Sequence, residues 1–137
     1  MAEPLRLIAQ DEEDLAVISA ALQDAVAKVG DITFEQDKLT LVFNRFRWEE
    51  GRGERIRSGL QLGCVQAVKS RKLRRDAKSA VLELLALSFE PAEAPGGAVV
   101  FAFAGGGDLR AEVECIDAAL ADLSAPWPTP RKPEHQV

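Results

Sequence analysis

Apolar and polar positions along the chain change rhythm twice. Leu5, Leu7 and Ala9 alternate with Arg6, Ile8 and Gln10, the two-residue period of a short strand. Asp11 then opens a helix. Its carboxylate can accept hydrogen bonds from the free amides of the first turn, and Glu12, Glu13 and Asp14 suit the positive end of the helix dipole. Leu15, Ile18, Leu22 and Ala25 recur at helical spacing and form one apolar stripe. The helix is expected to stop near Asp24–Ala25, because Val26, Val29 and Ile32 are β-branched and Gly30 interrupts the pattern.

From there the period is two. Ile32 and Phe34 alternate with Thr33 and Glu35, Asp37–Lys38 reads as a tight turn, and Leu39, Leu41 and Phe43 continue on one face. The apolar phase then moves to Phe46 and Trp48, which requires a bulge or burial of both faces. A polar loop with Gly51 and Gly53 follows. Ile56, Ser58, Leu60, Leu62 and Cys64 share one face of the next strand, with Arg55, Arg57, Gly59, Gln61 and Gly63 on the other; Gly59 and Gly63 permit a sharp bend. The cluster Lys69-Ser70-Arg71-Lys72-Leu73-Arg74-Arg75 reads as a loop or a strand end. Ser79 to Glu90 is expected to be a long strand, although Leu and Ala are good helix formers, and Pro91, Pro95 and Gly96–Gly97 end it. Val99, Phe101 and Phe103 form a last strand.

Gly105-Gly106-Gly107 then turns the chain into an expected final helix capped by Asp108. Leu109, Val113, Ile116, Leu120 and Leu123 fall at i, i+4, i+7, i+11 and i+14, a single stripe. The tail from Ser124 to Val137 holds four prolines and can be neither helix nor central strand. Strands and helices do not alternate, so a doubly wound parallel sheet is excluded. The fold class is therefore α+β. A strongly curved antiparallel sheet or small barrel carries an N-terminal helix and is closed by a C-terminal capping helix, the plan of pleckstrin-homology-like domains.

The 137 residues suit one domain, 1–137, with 124–137 as a proline-rich tail. The start of the chain lacks the basic, long apolar character of a signal peptide, and no apolar run approaches the ~18–20 residues of a membrane span, so the expected location is cytoplasmic. Charge is unevenly spread: residues 1–44 carry −6, residues 45–78 carry +7 and residues 79–137 carry −6. A basic middle third can offer a positive face to an anionic partner, or it can pair with the acidic thirds, the reading we prefer. A pI near 5.0 argues against a nucleic-acid partner.

Candidate chemistry is sparse. His135 is the one histidine, set in the proline-rich tail, and there is no tyrosine, which removes most general-base and nucleophilic catalysis. Cys64 and Cys115 could be a redox or metal pair, but zinc wants four ligands and no histidine is near; buried, inert thiols are the preferred reading. Glu112 and Glu114 are expected at exposed helix positions, and no metal or other cofactor is implied. The triple glycine before a helix resembles an anion cradle but matches no phosphate-binding motif, and a plain turn is preferred. Arg45 and Arg47, with Arg55 and Arg57 across a loop, could form a row on one sheet face and, with Lys69, Arg71, Lys72, Arg74 and Arg75, grip a phosphate or carboxylate. A solvated face with ion pairs to Glu49, Glu50 and Glu54 is the plainer alternative. Trp127, between Pro126 and Pro128, either docks another protein or folds back on the sheet or last helix; folding back is preferred.

The segments LQDAVAKVGDITF (Leu22 to Phe34), LVFNRFRWE (Leu41 to Glu49), RIRSGLQLGCVQAVKSRKL (Arg55 to Leu73) and FAGGGDLRAEVECIDAALADLSAPWPTPRKP (Phe103 to Pro133) resemble a family of small bacterial proteins catalogued only as a domain of unknown function. The resemblance runs from Leu5 to about Pro133. It implies one compact domain that includes the tail around Trp127, and it implies no activity, cofactor or catalytic residue. The leading expectation is a non-enzymatic binding or interaction module that uses residues 45–78 to meet a protein or a small anionic ligand. The alternatives are an enzyme or enzyme subunit with an arginine/carboxylate pocket, and a structural homodimer that pairs an open sheet edge.

Overall fold

The structure is a computed structural model in which residues 4–46, 54–124 and 127–128 are described, the last two by their backbone alone. Strand β1 (Arg6–Ala9) leads into helix α1 (Glu12–Ala21). As expected, the Asp11 carboxylate caps that helix, accepting from the Asp14 N–H at 2.8 Å. The helix stops short of Asp24–Ala25. Asp24 takes a left-handed φ of 66°, and its N–H donates to the Leu84 carbonyl at 3.0 Å instead of prolonging the helix. Leu15, Ile18 and Leu22 turn the α1 stripe into the core.

Strand β2 (Val26–Lys28), a 3-10 turn (Val29–Asp31), β3 (Ile32–Glu35) and β4 (Lys38–Phe46) follow. Then come β5 (Glu54–Leu62), β6 (Val65–Arg71), β7 (Val81–Pro91), β8 (Gly97–Phe103), β9 (Asp108–Val113), β10 (Ala118–Asp122) and β11 (Trp127–Pro128). Neighbouring strands run β1-β10-β5-β4-β2-β7-β8-β9-β6, with β3 on β4 and β11 on β5, every pair antiparallel. The chain is thus mostly antiparallel sheet with one α-helix among the described residues. The path ends at β1 and β6, so the sheet is not closed into a barrel.

Two joints make the sheet fold back on itself. On one side, β5 runs on into β6 while β9 runs on into β10, so the same two stretches pair twice, as Leu62↔Ala118 and again as Val65↔Val113. The corner between them is Gly63–Cys64 facing 114–117. On the other side, β2 bridges the halves through three residue pairs to β7 and one, Val26↔Asn44, to β4. Leu39, Leu41, Phe43, Leu60 and Leu62 from one half share a single core with Leu84, Leu87, Phe101, Phe103, Leu109 and Ala111 from the other. In β7, a register shift between Leu84 and Ala86 lets Leu84 and Leu87, three apart, both face that core.

The expected C-terminal capping helix is corrected. Residues 109–123 hold β9, a corner and β10, which leaves the pleckstrin-homology-like plan without its closing helix. The stripe had two solutions. Leu109, Ala111 and Val113 alternate inward, and so do Ile116, Ala118 and Leu120, all at most 9% exposed. Two strands joined by an odd-numbered step reproduce spacings of four, three and four, so Leu109, Val113, Ile116 and Leu120 fit a helix and a strand pair alike. Pairing decides, because β9 has β8 and β6 on either side and β10 has β1 and β5. The phase change after Phe43 resolves as burial of both faces: β4 and β5 pair without a break, and Arg45 and Phe46 are both buried. Trp48 lies outside the described residues.

Candidate functional site

The arginines expected to form one row do not share a face. In the β4–β5 register Arg45 stands opposite Ile56 on the inner face, while Arg57 stands opposite Asn44 on the outer one. Arg45 is fully buried, not surface-exposed. Its Nη2 donates to Asp122 Oδ1 at 3.0 Å and Oδ2 at 3.1 Å, and its Nε donates to Asp122 Oδ1 at 3.1 Å. Ser58 Oγ lies 3.0 Å from Arg45 Nε and donates to Asp122 Oδ1 at 2.7 Å. The Leu5 N–H donates to Asp122 Oδ2 at 2.7 Å. This cluster ties β4, β5 and β10 together and buries a charge that is satisfied on the spot. Arg47 lies outside the described residues, as do Glu49 and Glu50.

Much of the basic stretch pairs with the acidic flanks. Arg57 meets Asp31 at 3.7 Å, Lys69 meets Glu112 at 2.9 Å and Arg71 meets Asp108 at 2.7 Å. Arg55 lies over the Phe46 ring at 6.0 Å and donates to the Asn44 carbonyl at 3.2 Å. On the same outer surface as Lys69 and Arg71, Arg110 meets Glu90 at 2.8 Å, and that carboxylate holds the guanidinium above its ordinary pKa. This is a ladder of cross-strand ion pairs.

What is left over gathers in one loop. Lys72, Arg74, Arg75 and Lys78 are exposed between β6 and β7, and no ion pair engages them among the described residues. The loop is held at both ends. Lys72 takes a left-handed φ of 60°, and Leu73 packs so tightly on Gly107 that a Cβ there would lie 2.5 Å from its Cδ2. The Gly30 N–H donates to the Lys78 carbonyl at 2.8 Å and the Val29 N–H to the Ala80 carbonyl at 2.9 Å. Beneath the loop lies a cavity of about 250 Å³ between the two halves of the sheet. Phe34, Leu39, Val68, Leu73 and Leu82 form its apolar walls, Ser70 contributes a hydroxyl, and the exposed Arg75 and Lys78 complete its lining. Of the basic residues anticipated as a binding set, the structure brings Arg75 to this cavity, beside a lysine not singled out before.

The triple glycine precedes a strand. Gly105 and Gly106 take φ of 92° and 96° in the β8–β9 turn, and Asp108 pairs with Arg71, so no helix N-terminus is there to hold an anion. Glu112 and Glu114 stand on β9 and at the corner, not on a helix. With Glu90, Glu93 and Arg110 they edge an open depression of about 730 Å³. Cys64 and Cys115 are free and half-buried, not fully buried. They lie side by side at the corner, where the neighbouring Cys115 thiol, more than burial or the nearby Asp117 and Glu114, raises the Cys64 pKa above its usual 9.0. Among the described residues no three His, Cys, Asp or Glu side chains are grouped to hold a metal, and no helix is long and apolar enough to cross a membrane.

Sequence reasoning missed Ser58, Asp122 and Lys78. A serine inside the apolar face of Ile56, Leu60 and Leu62 was the available signal for the buried cluster. Asp122 shares its parity with Leu120, but only if the segment is a strand. Nothing local marks Lys78, whose position follows from the clamp on Gly30. No curated protein and no solved structure matches the chain. A family profile does, over residues 5–135. The chain therefore belongs to the family described as protein of unknown function (DUF2948).

Proposed function

We propose that the protein is a non-enzymatic binding module for a small amphipathic anion. The apolar body of the ligand enters the cavity between Phe34, Leu39, Val68, Leu73 and Leu82, and its anionic head meets Arg75 and Lys78. One observation supports this reading above the others: two cations without ion-pair partners among the described residues line a cavity together with Phe34, Leu39, Val68, Leu73 and Leu82. Elsewhere on the sheet, Arg57, Lys69, Arg71 and Arg110 are all paired with carboxylates. A convergent polar group at an apolar pocket is the usual form of a small-molecule site.

The affinity follows from ordinary magnitudes. The five apolar carbons of hexanoate, fully buried, contribute about 0.8 kcal/mol each. A charge-assisted hydrogen bond adds ~1.5–3 kcal/mol. Association costs at least ~4 kcal/mol. The balance corresponds to a Kd on the order of 10 mM. Hexanoate, hexanol and acetate, titrated separately and followed by backbone amide chemical shifts, test this. Hexanoate should saturate with shifts at Phe34, Val68, Ser70 and Leu73 and bind more tightly than either control. The double substitution Arg75→Ala/Lys78→Ala should abolish the preference for hexanoate over hexanol while hexanol still binds. Equal, non-saturating shifts with all three compounds refute the proposal.

A further inference from the structure

The corner where β5 passes into β6 and β9 into β10 carries chemistry that anion binding does not use. The Gly63 N–H donates to the Asp117 carbonyl at 2.8 Å, and the Glu114 N–H donates to the Cys64 carbonyl at 3.0 Å. Those two bonds bracket Cys64, and the residue left facing it is Cys115. The pair lies between the two ladders rather than within one, where the backbone bonds hold 63–64 against 114–117 and so bring the Cys115 thiol beside Cys64. Both thiols are half-buried, so a small reagent can reach them. Cys64 also sits at φ 58°, a left-handed conformation that favours glycine or asparagine, so a cysteine is held there against its backbone preference.

We propose that Cys64 and Cys115 are a reversible redox pair that closes into a disulfide across this corner by exchange with a low-molecular-weight disulfide. One cysteine loses its proton, and its thiolate attacks a sulfur of the reagent R–S–S–R, forming a protein–S–S–R mixed disulfide and expelling one thiolate, R–S⁻. The second cysteine loses its proton and attacks the protein sulfur of that bond, expelling the second R–S⁻. The two cysteine thiols give up two electrons and two protons, and the reagent is reduced to two molecules of R–SH. The Cys115 thiol, and to a lesser degree Asp117 and Glu114, disfavour the Cys64 thiolate, so the reduced form persists until the oxidised reagent is abundant. Closure ties the β5–β6 corner to the β9–β10 corner across about fifty residues of chain, a long loop and so an effective cross-link.

The test equilibrates the folded full-length protein with oxidised and reduced glutathione over a series of ratios, followed by acid quench, alkylation and intact mass. The expected result is a species lighter by two hydrogens that no longer alkylates, whose digest contains a Cys64–Cys115 linked peptide. Dithiothreitol should restore both thiols, and the oxidised form should melt higher by on the order of 10 °C. Cys64→Ser and Cys115→Ser should each stop at a single glutathione adduct. Two persistent free thiols at every ratio, stable adducts on both cysteines without an internal bond, or links only between chains would overturn the proposal. Closure that occurs only in denaturant would overturn it too.

Discussion

Replacing Asp122 with alanine leaves the Arg45 guanidinium charged in a site where its side chain is 0% exposed and that of Asp122 is 2% exposed. Three Arg45–Asp122 hydrogen bonds vanish, Ser58 Oγ loses its acceptor and the Leu5 N–H loses its partner. Removing one member of a buried pair typically costs ~3–5 kcal/mol. A domain of this size has a total stability of only ~5–15 kcal/mol. A loss of that order lowers Tm by roughly 10–20 °C. Urea unfolding followed by circular dichroism reads the change as a lower midpoint at constant slope. Arg45→Met combined with Asp122→Leu removes both charges and should recover most of the loss, because apolar replacements of a buried pair are often neutral or better. If Asp122→Ala costs under ~1 kcal/mol and the double variant is no better than the single, the cluster is hydrated and its burial carries no energetic weight.

Two further outcomes follow from the same geometry. Gly97→Ala would put a Cβ 2.6 Å from Phe89 Cζ and against the Glu90 carbonyl across the β7–β8 turn, so it should destabilise by ~1–3 kcal/mol in urea titration. Because Cys115 raises the Cys64 pKa, the unfolded chain gives up its thiol proton first. The contribution of this thiol to the reduced protein is therefore full below the ordinary thiol pKa and is lost as pH rises through the higher folded value. Stability of the reduced protein should fall above about pH 9, and Cys115→Ser should both flatten that fall and speed alkylation of Cys64.

The parts of the fold that were legible in the sequence are those where one local pattern admits one solution. Asp11 marked the start of α1, and Pro91 and Gly96–Gly97 bounded a Leu-rich run that would otherwise pass for a helix. Ile56, Ser58, Leu60 and Leu62 alternate strictly and face inward as expected. The last third failed because the spacing of Leu109, Val113, Ile116 and Leu120 is common to a helix and to two offset strands, and only the neighbouring strands distinguish them. Arg45 failed for a different reason. Its parity with Leu39, Leu41 and Phe43 pointed inward while its charge argued outward, and the deciding partner, Asp122, lies 77 residues away. The basic loop, the cavity below it and the Cys64–Cys115 corner are likewise products of distant pairing, so the composition of residues 45–78 showed an excess of positive charge but not which cations would meet a carboxylate.

The unequal joints between the two halves of the sheet set how the molecule can yield. Along the Gly63–Cys64 edge the strands themselves cross over, so parting the halves there would mean tearing covalent chain or two whole ladders. Along the β2 edge the fastening to β4 is the lone Val26–Asn44 bridge. The molecule is thus built like a book, with a spine at the cysteine corner and a thin clasp at Val26, and its covers part most easily at the clasp.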